Sequence, residues 1–301
     1  MKLHKASHFG LVLSFVVSFI ALVALADVSS YRQSVEEWRQ HYEADLKSDD
    51  GWLTVSGLFW LHEGENHFGS DPLNDIVLPT STVPATAGYF EFHAGKTSVH
   101  VNPGVEITMN GKLVNSAELH PDSPTDRLRI GNLTLYLHAS GVRYAIRLKD
   151  KNSKIPRDFT GLDWFPVDES YRVTARYVRY EIPKQVEIEN VMGDFVKDSI
   201  AGYVVFSLHG AEYRLDAEQD EPNTLSFVFR DLTSGKETYG AARFLDTEAP
   251  KNGAVVLDFN KAYNPPCAYN PYTTCPLPIP ENRLRVEIRA GEKAYKHASG
   301  A

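Results

Sequence analysis

Charged and hydroxyl-bearing side chains embedded in apolar strands are where this chain could do chemistry. In Val255-Val-Leu-Asp-Phe-Asn260 strand alternation puts Val256, Asp258 and Asn260 on one face and Val255, Leu257 and Phe259 on the other. A predicted hairpin of Leu225 to Arg230 with Thr238 to Phe244 puts Tyr239, Ala241 and Arg243 on one face. If these faces meet inside the protein, Arg243 and Asp258 must pair, because a buried charge without a partner costs several kcal/mol. Such a pair is either a structural ion pair that fixes strand register or the floor of a polar pocket. In the pocket reading Arg243 holds an anionic group, and Asp258 with Asn260 orients it or acts as a base. Tyr239 and Tyr263 then line the pocket, with Asn264 in the ligand-binding set and Asp258, Tyr239 and Tyr263 as the catalytic candidates.

A second concentration of chemistry follows directly. Residues 264–280 hold six prolines in seventeen residues and so form neither a helix nor a central strand. Within this rigid loop lie Cys267 and Cys275, the two cysteines of the chain. In an oxidising compartment two cysteines in one short loop most simply form a disulfide. Closing a loop of that size stabilises by roughly 2 to 3 kcal/mol in the chain-entropy model. A reduced nucleophile lacks a nearby histidine, and a two-thiolate metal site lacks two further ligands.

Other signatures are missing. There is no Gly-x-Ser-x-Gly, no His-Glu-x-x-His, no phosphate-binding glycine loop and no Cys-x-x-Cys. The histidines are scattered, with only His209 and His297 in the C-terminal half, and read as surface or strand residues rather than metal ligands. No cofactor and no metal is expected.

The elements that must position these residues are mainly strands. Short alternating runs such as Thr97 to Val101, Leu133 to His138, Tyr144 to Leu148, Arg172 to Tyr180 and Arg283 to Ile288 are separated by Gly, Asn, Asp and Pro. Asn110-Gly111 is the strongest hairpin signal, since both residues tolerate the positive φ of a type I′ turn. Gly235 marks a second turn. Ahead of the strands, Tyr31, Val35, Trp38, Tyr42 and Leu46 recur at spacings of three and four, which predicts a helix docked by its apolar stripe. The pattern breaks between Lys149 and Tyr171, where Leu162, Trp164 and Phe165 predict a packed connector. The expected organisation is a signal peptide over 1–26, a helix over 27–50, a first β lobe over 51–150, the connector over 151–171 and a second β lobe over 172–301. The fold class is mainly β, a docking helix followed by two packed lobes: a sandwich, then a barrel-like or sandwich lobe.

The N-terminus carries Lys2 and Lys5, then an apolar run from Phe9 to Ala26 ending in Ala24-Leu25-Ala26, the small-x-small pattern of a signal-peptidase site. Export to a periplasmic or extracellular location is therefore expected, with no membrane span after signal removal. Cleavage takes away two lysines and no acid, leaving 29 basic against 39 acidic residues and a net charge of −10. That charge makes polyanions poor partners, so nucleic acid is set aside.

Gly51-Trp-Leu-Thr-Val-Ser-Gly-Leu-Phe-Trp-Leu61, Gly161-Leu-Asp-Trp-Phe-Pro166, Asp231-Leu-Thr-Ser-Gly-Lys-Glu-Thr-Tyr-Gly240 and Asp258-Phe-Asn-Lys-Ala-Tyr-Asn-Pro-Pro-Cys267 stand together with Cys275-Pro-Leu-Pro, Glu281-Asn-Arg-Leu284 and Ala290-Gly-Glu-Lys293. Taken together they resemble the family catalogued as domain of unknown function 1684. The resemblance implies a shared architecture and a motif-dense second lobe, and it supplies no reaction. The first lobe, from Phe68-Gly-Ser-Asp-Pro-Leu-Asn-Asp-Ile-Val-Leu78 onward, faintly resembles a forkhead-associated sandwich, but Ser70 stands where that motif has Arg and there is no Ser-x-x-His.

Three functions compete. The first is an exported binding protein for a small polar or anionic molecule, with its pocket in the second lobe. The second is a hydrolase or isomerase using a carboxylate base. The third is an envelope interaction protein with Trp52, Leu58, Phe59 and Trp60 as its contact patch; the cluster reads more naturally as core.

Overall fold

The computed structural model describes residues 29–79, 83–219 and 223–296. The expected signal segment 1–26 and His297 lie outside the described residues. The protein is mainly β, with a helix over 29–47 at its N-terminal end. No helix among the described residues is long and apolar enough to cross a membrane.

Two sheets form the first lobe. One runs in the order Val55–Trp60, Arg143–Asp150, Leu133–Ser140, Leu128–Ile130, Thr108–Met109, Lys112–Leu113. The other runs Ile76–Val77, Gly64–Gly69, Gly88–His93, Lys96–Val101, Ser116–Leu119. Their inner faces share one core that includes Phe68, Phe90 and Val99 from one sheet and Leu133, Leu135, Ile146 and Leu148 from the other. That is the arrangement of a sandwich. Asn110 and Gly111 adopt φ of 53° and 74° and join Thr108–Met109 to Lys112–Leu113, as the type I′ signal predicts. Of the cluster Trp52, Leu58, Phe59 and Trp60, Phe59 packs on this core, whereas Trp60 lies under the Arg143 guanidinium at 3.7 Å.

The second lobe pairs Ala211–Ala217, Phe195–Leu208, Arg172–Glu189 and Ala254–Asp258 in that order, and separately pairs Thr224–Phe229 with Arg243–Glu248. Neither sheet closes, so the barrel-like alternative gives way to open sheets around a core that includes Phe206, Phe227, Phe229, Leu257 and Phe259. Past Asp258 the described chain holds only short 3-10 turns and isolated bridges. Arg283 to Ile288, expected as a strand, is therefore irregular; its alternation survives, with Leu284 and Ile288 buried. The connector carries a five-residue helix, Lys154–Asp158, and packs Phe159 and Leu162 against Leu53 and Tyr269.

Candidate functional site

The helix 29–47 docks along the segment that follows Asp258. Val35 and Leu46 are buried outright, and Tyr31, Arg39 and Tyr42 carry polar tips that bond the segment. Tyr31 Oη donates to Asp258 Oδ1 at 2.9 Å, Arg39 Nη2 to Asn260 O at 3.1 Å and Tyr42 Oη to Asn264 O at 3.2 Å. Asn260 Nδ2 in turn donates to Tyr31 Oη at 2.9 Å and to Asp168 O at 2.8 Å. The bonds to the helix join positions more than 200 residues apart, so the docking is a product of tertiary structure.

Between the helix, the Asp50–Trp52 corner and the strand Arg243–Glu248 lies a cleft of about 810 Å³. Its walls carry the rings of Trp38, Tyr42, Trp52, Phe244 and Tyr263. Trp38 and Tyr42, four residues apart on the helix, stack with 5.5 Å between centroids and 6° between planes, and Tyr42 meets Tyr263 at 4.9 Å. The carboxylates of Asp45, Asp50 and Asp246 line the same cleft, and no Lys or Arg does. Asp246 accepts from Tyr263 Oη at 2.6 Å, while burial and the Asp246 charge push the Tyr263 phenol well above its ordinary range. Tyr263 is thus a protonated donor at neutral pH, not a base.

Beneath the cleft sits a buried polar knot. Glu292, 1% exposed, accepts from Asn264 N at 2.8 Å, Asn264 Nδ2 at 2.7 Å and Tyr269 Oη at 2.7 and 2.9 Å. Burial pushes its carboxyl up to about 7, against the opposing pull of these donors and of Arg243. Gly291, at φ 79°, brings the backbone against Ala262 O, which a Cβ would meet at 2.4 Å, and so lets Glu292 N donate there at 2.8 Å. Tyr269 Oη lies 3.5 Å from Tyr42 Oη, which links the knot to the cleft wall.

The pairing of Arg243 with Asp258 does not form. Arg243 is fully buried, with Nη1 bonding Ile288 O at 2.9 Å and lying 3.5 Å from Asp231 Oδ2, and Nη2 bonding Ala290 O. Burial pulls its guanidinium below the ordinary value, with Asp231 and Glu292 opposing. It has no exposed surface to offer an anion. The reason lies in register: the strand opposite Thr224–Phe229 begins at Arg243, with Phe229 opposite Arg243, and residues 238–242 are loop. Asp258 instead ends its strand and caps the 3-10 turn Phe259–Lys261 by accepting from Asn260 N. The carboxylate faces Tyr31 and the neighbouring cleft of about 610 Å³ that it shares with Arg172, Lys251 and Lys261. Tyr239 Oη donates to Cys267 O at 3.1 Å, outside the cleft.

Cys267 and Cys275 are both free thiols in this structure, with Cys267 N donating to Cys275 Sγ at 3.3 Å. The hydrogen bond between the thiols holds Cys275 below and Cys267 above the ordinary value. Of the pocket residues proposed from sequence, Tyr263 alone lines the aromatic cleft, with Asn264 behind it. Trp38 and Tyr42 were read as part of a docking stripe, Asp246 was not singled out, and Glu292 entered only as part of Ala290-Gly-Glu-Lys293. The usable signal for Glu292 was the glycine before it, since glycine is the residue that permits a close backbone approach.

No curated protein matches the chain. The family model described as Protein of unknown function (DUF1684) matches residues 157–293, which include the Arg243 and Glu292 knot and the proline-rich loop. Among solved structures, the uncharacterized protein from gene locus rrnAC0354 of Haloarcula marismortui, determined by solution NMR, is 34% identical over 46% of this chain and 78% of that one, with a TM-score of 0.39. On that match and that identity, the chain belongs to the family of proteins of unknown function DUF1684.

Proposed function

We propose that this protein binds a small organic cation in the cleft between its N-terminal helix and its second lobe. The observation that carries the reading is the lining: five aromatic rings and three carboxylates, with no Lys or Arg. Aromatic faces attract cations through the ring quadrupole, and carboxylates at the rim supply the matching charge. The cleft volume is within the usual range for small-molecule sites. An anionic ligand, by contrast, would meet Asp45, Asp50 and Asp246 with His41 and no Lys or Arg to offset them.

Titration calorimetry with choline, spermidine and tetramethylammonium tests the reading, with acetate and phosphate as controls. Saturable binding of at least one amine is expected, weakened about tenfold or more in Trp38→Ala and in Asp246→Asn, in line with one lost cation–π contact of about 1 to 2 kcal/mol. Binding of acetate but of no amine would sink it.

The basic, apolar and small-x-small order of residues 2–26 further supports export. In an oxidising compartment the neighbouring thiols of Cys267 and Cys275 would close as a disulfide, stiffening the loop that carries Pro266 on the cleft wall. N-terminal sequencing of the native protein should begin at Asp27, and a thiol count should give zero. Two free thiols on exported protein would remove the disulfide.

A further inference from the structure

His138, on the strand Leu133–Ser140 of the first lobe, is 7% exposed and reaches the proline-rich loop of the second. Its Nδ1 lies 2.8 Å from Asp122 Oδ1 and its Nε2 lies 2.8 Å from Thr274 Oγ1. Arg147 Nη2 donates to the same hydroxyl oxygen at 3.4 Å.

The ends of this chain of contacts are fixed, since an ionised Asp122 only accepts and Arg147 only donates. In the neutral tautomer with its hydrogen on Nδ1, His138 presents an Nε2 lone pair, and Thr274 Oγ1 donates to it while accepting from Arg147. The hydroxyl is therefore polarised toward a base that a carboxylate orients. That is the order of groups which activates an oxygen nucleophile.

Arg147 supplies a second, independent observation. It is 3% exposed, and its Nε is buried without a hydrogen-bond partner. A buried cation that reaches the hydroxyl through Nη2 is suited to receive negative charge that develops there only during reaction.

We propose that Asp122, His138 and Thr274 form a catalytic triad for hydrolysis of small carboxylic esters, separate from the cation cleft and independent of it. Thr274 Oγ1 attacks the acyl carbon while its proton passes to His138 Nε2, and the carbonyl electron pair moves to the oxygen facing Arg147. Collapse expels the alcohol oxygen, which takes the proton back from Nε2 and leaves an acyl-threonine. Water repeats the sequence with His138 as base, releasing the carboxylic acid and regenerating the hydroxyl. His138 and Thr274 are the catalytic residues; Asp122 is a positioning residue.

Hydrolysis of 4-nitrophenyl butyrate by the full chain, together with labelling by a β-lactone probe and peptide mapping, tests this. Expected are turnover above buffer, a single acyl adduct on Thr274, a drop of about 100-fold or more in kcat/KM in Thr274→Val, and retained activity in Thr274→Ser. His138→Gln should remove both the turnover and the adduct. Circular dichroism separates loss of activity from loss of fold, and the Thr274 variants keep the test valid if His138→Gln does not fold. Absence of turnover above buffer, an adduct on Cys267 or Cys275 instead, or wild-type rates in Thr274→Val would each overturn the proposal.

Discussion

The two lobes bury their interiors by different means. The first packs an apolar cluster between two sheets whose ladders pair the backbone, and its buried His138 and Arg147 stand on strand positions that alternate with that cluster. The second packs a comparable apolar cluster but threads it with Arg243, Asp231, Asn264, Asn282 and Glu292. The difference is one of backbone. Residues 259–296 pass through the second interior without a strand, and a buried N–H or C=O with no ladder must find another partner. Side chains supply it: Asn282 bonds Val228 O and Asp216 O, Asp231 Oδ2 accepts from Ile288 N, and Arg243 takes Ile288 O and Ala290 O. Polar residues that the alternation pattern offers as a pocket floor are here the brackets that hold irregular chain.

Substitutions in the two interiors test that contrast. Arg243→Met should cost about 3 to 5 kcal/mol in urea unfolding, since Asp231 loses its partner charge and two buried carbonyls lose their donor. A near-neutral result would mean the knot is dispensable. In the first lobe Leu135→Ala should cost about 2 to 5 kcal/mol through cavity formation, and equally at every pH.

Glu292 gives the second lobe a pH dependence that the apolar core lacks. Its folded-state carboxyl titrates near 7, above the ordinary 4.5, so its contribution is fully present below about pH 4.5 and is lost as pH rises to about 7. The loss is about 3 kcal/mol across that window. Unfolding free energies measured at pH 4.5, 5.5 and 7 should show this slope in the wild type and a flatter one in Glu292→Gln; an unchanged slope in the variant would assign it elsewhere.

Smaller effects follow. Asn282→Ala should cost about 1 to 3 kcal/mol, the penalty of unsatisfied buried groups, because Val228 O and Asp216 O lose their donor and Asp216 N its acceptor. Glu248→Ala breaks only an exposed pair with Lys251 and should leave the midpoint unchanged. A shift there as large as that of Asn282→Ala would show that surface charge, not interior bonding, separates the lobes.

Much of this was legible along the chain. The three-and-four spacing of Tyr31, Val35, Trp38, Tyr42 and Leu46 announced a docked helix, and period-two runs announced the strands Lys96–Val101, Leu133–Ser140 and Arg143–Asp150. Asn110-Gly111 announced its turn. The reading failed where it needed register. Alternation placed Arg243 on an inward face correctly but could not say which residue lay opposite, so Asp258 was assigned where Asp231 stands. It also read past the end of a strand, counting Asn260 as a face residue when it lies in a 3-10 turn.

Which side chains go inside thus follows from local period and apolar character, which each segment carries alone. Which of them meet follows from the packing of distant elements: Tyr31 with Asp258, Trp38 with Tyr263, Asn264 with Glu292, and His138 with Thr274. These contacts join positions 28 to 227 residues apart, and a partner at such a distance is chosen by sheet order and docking, which no local pattern encodes.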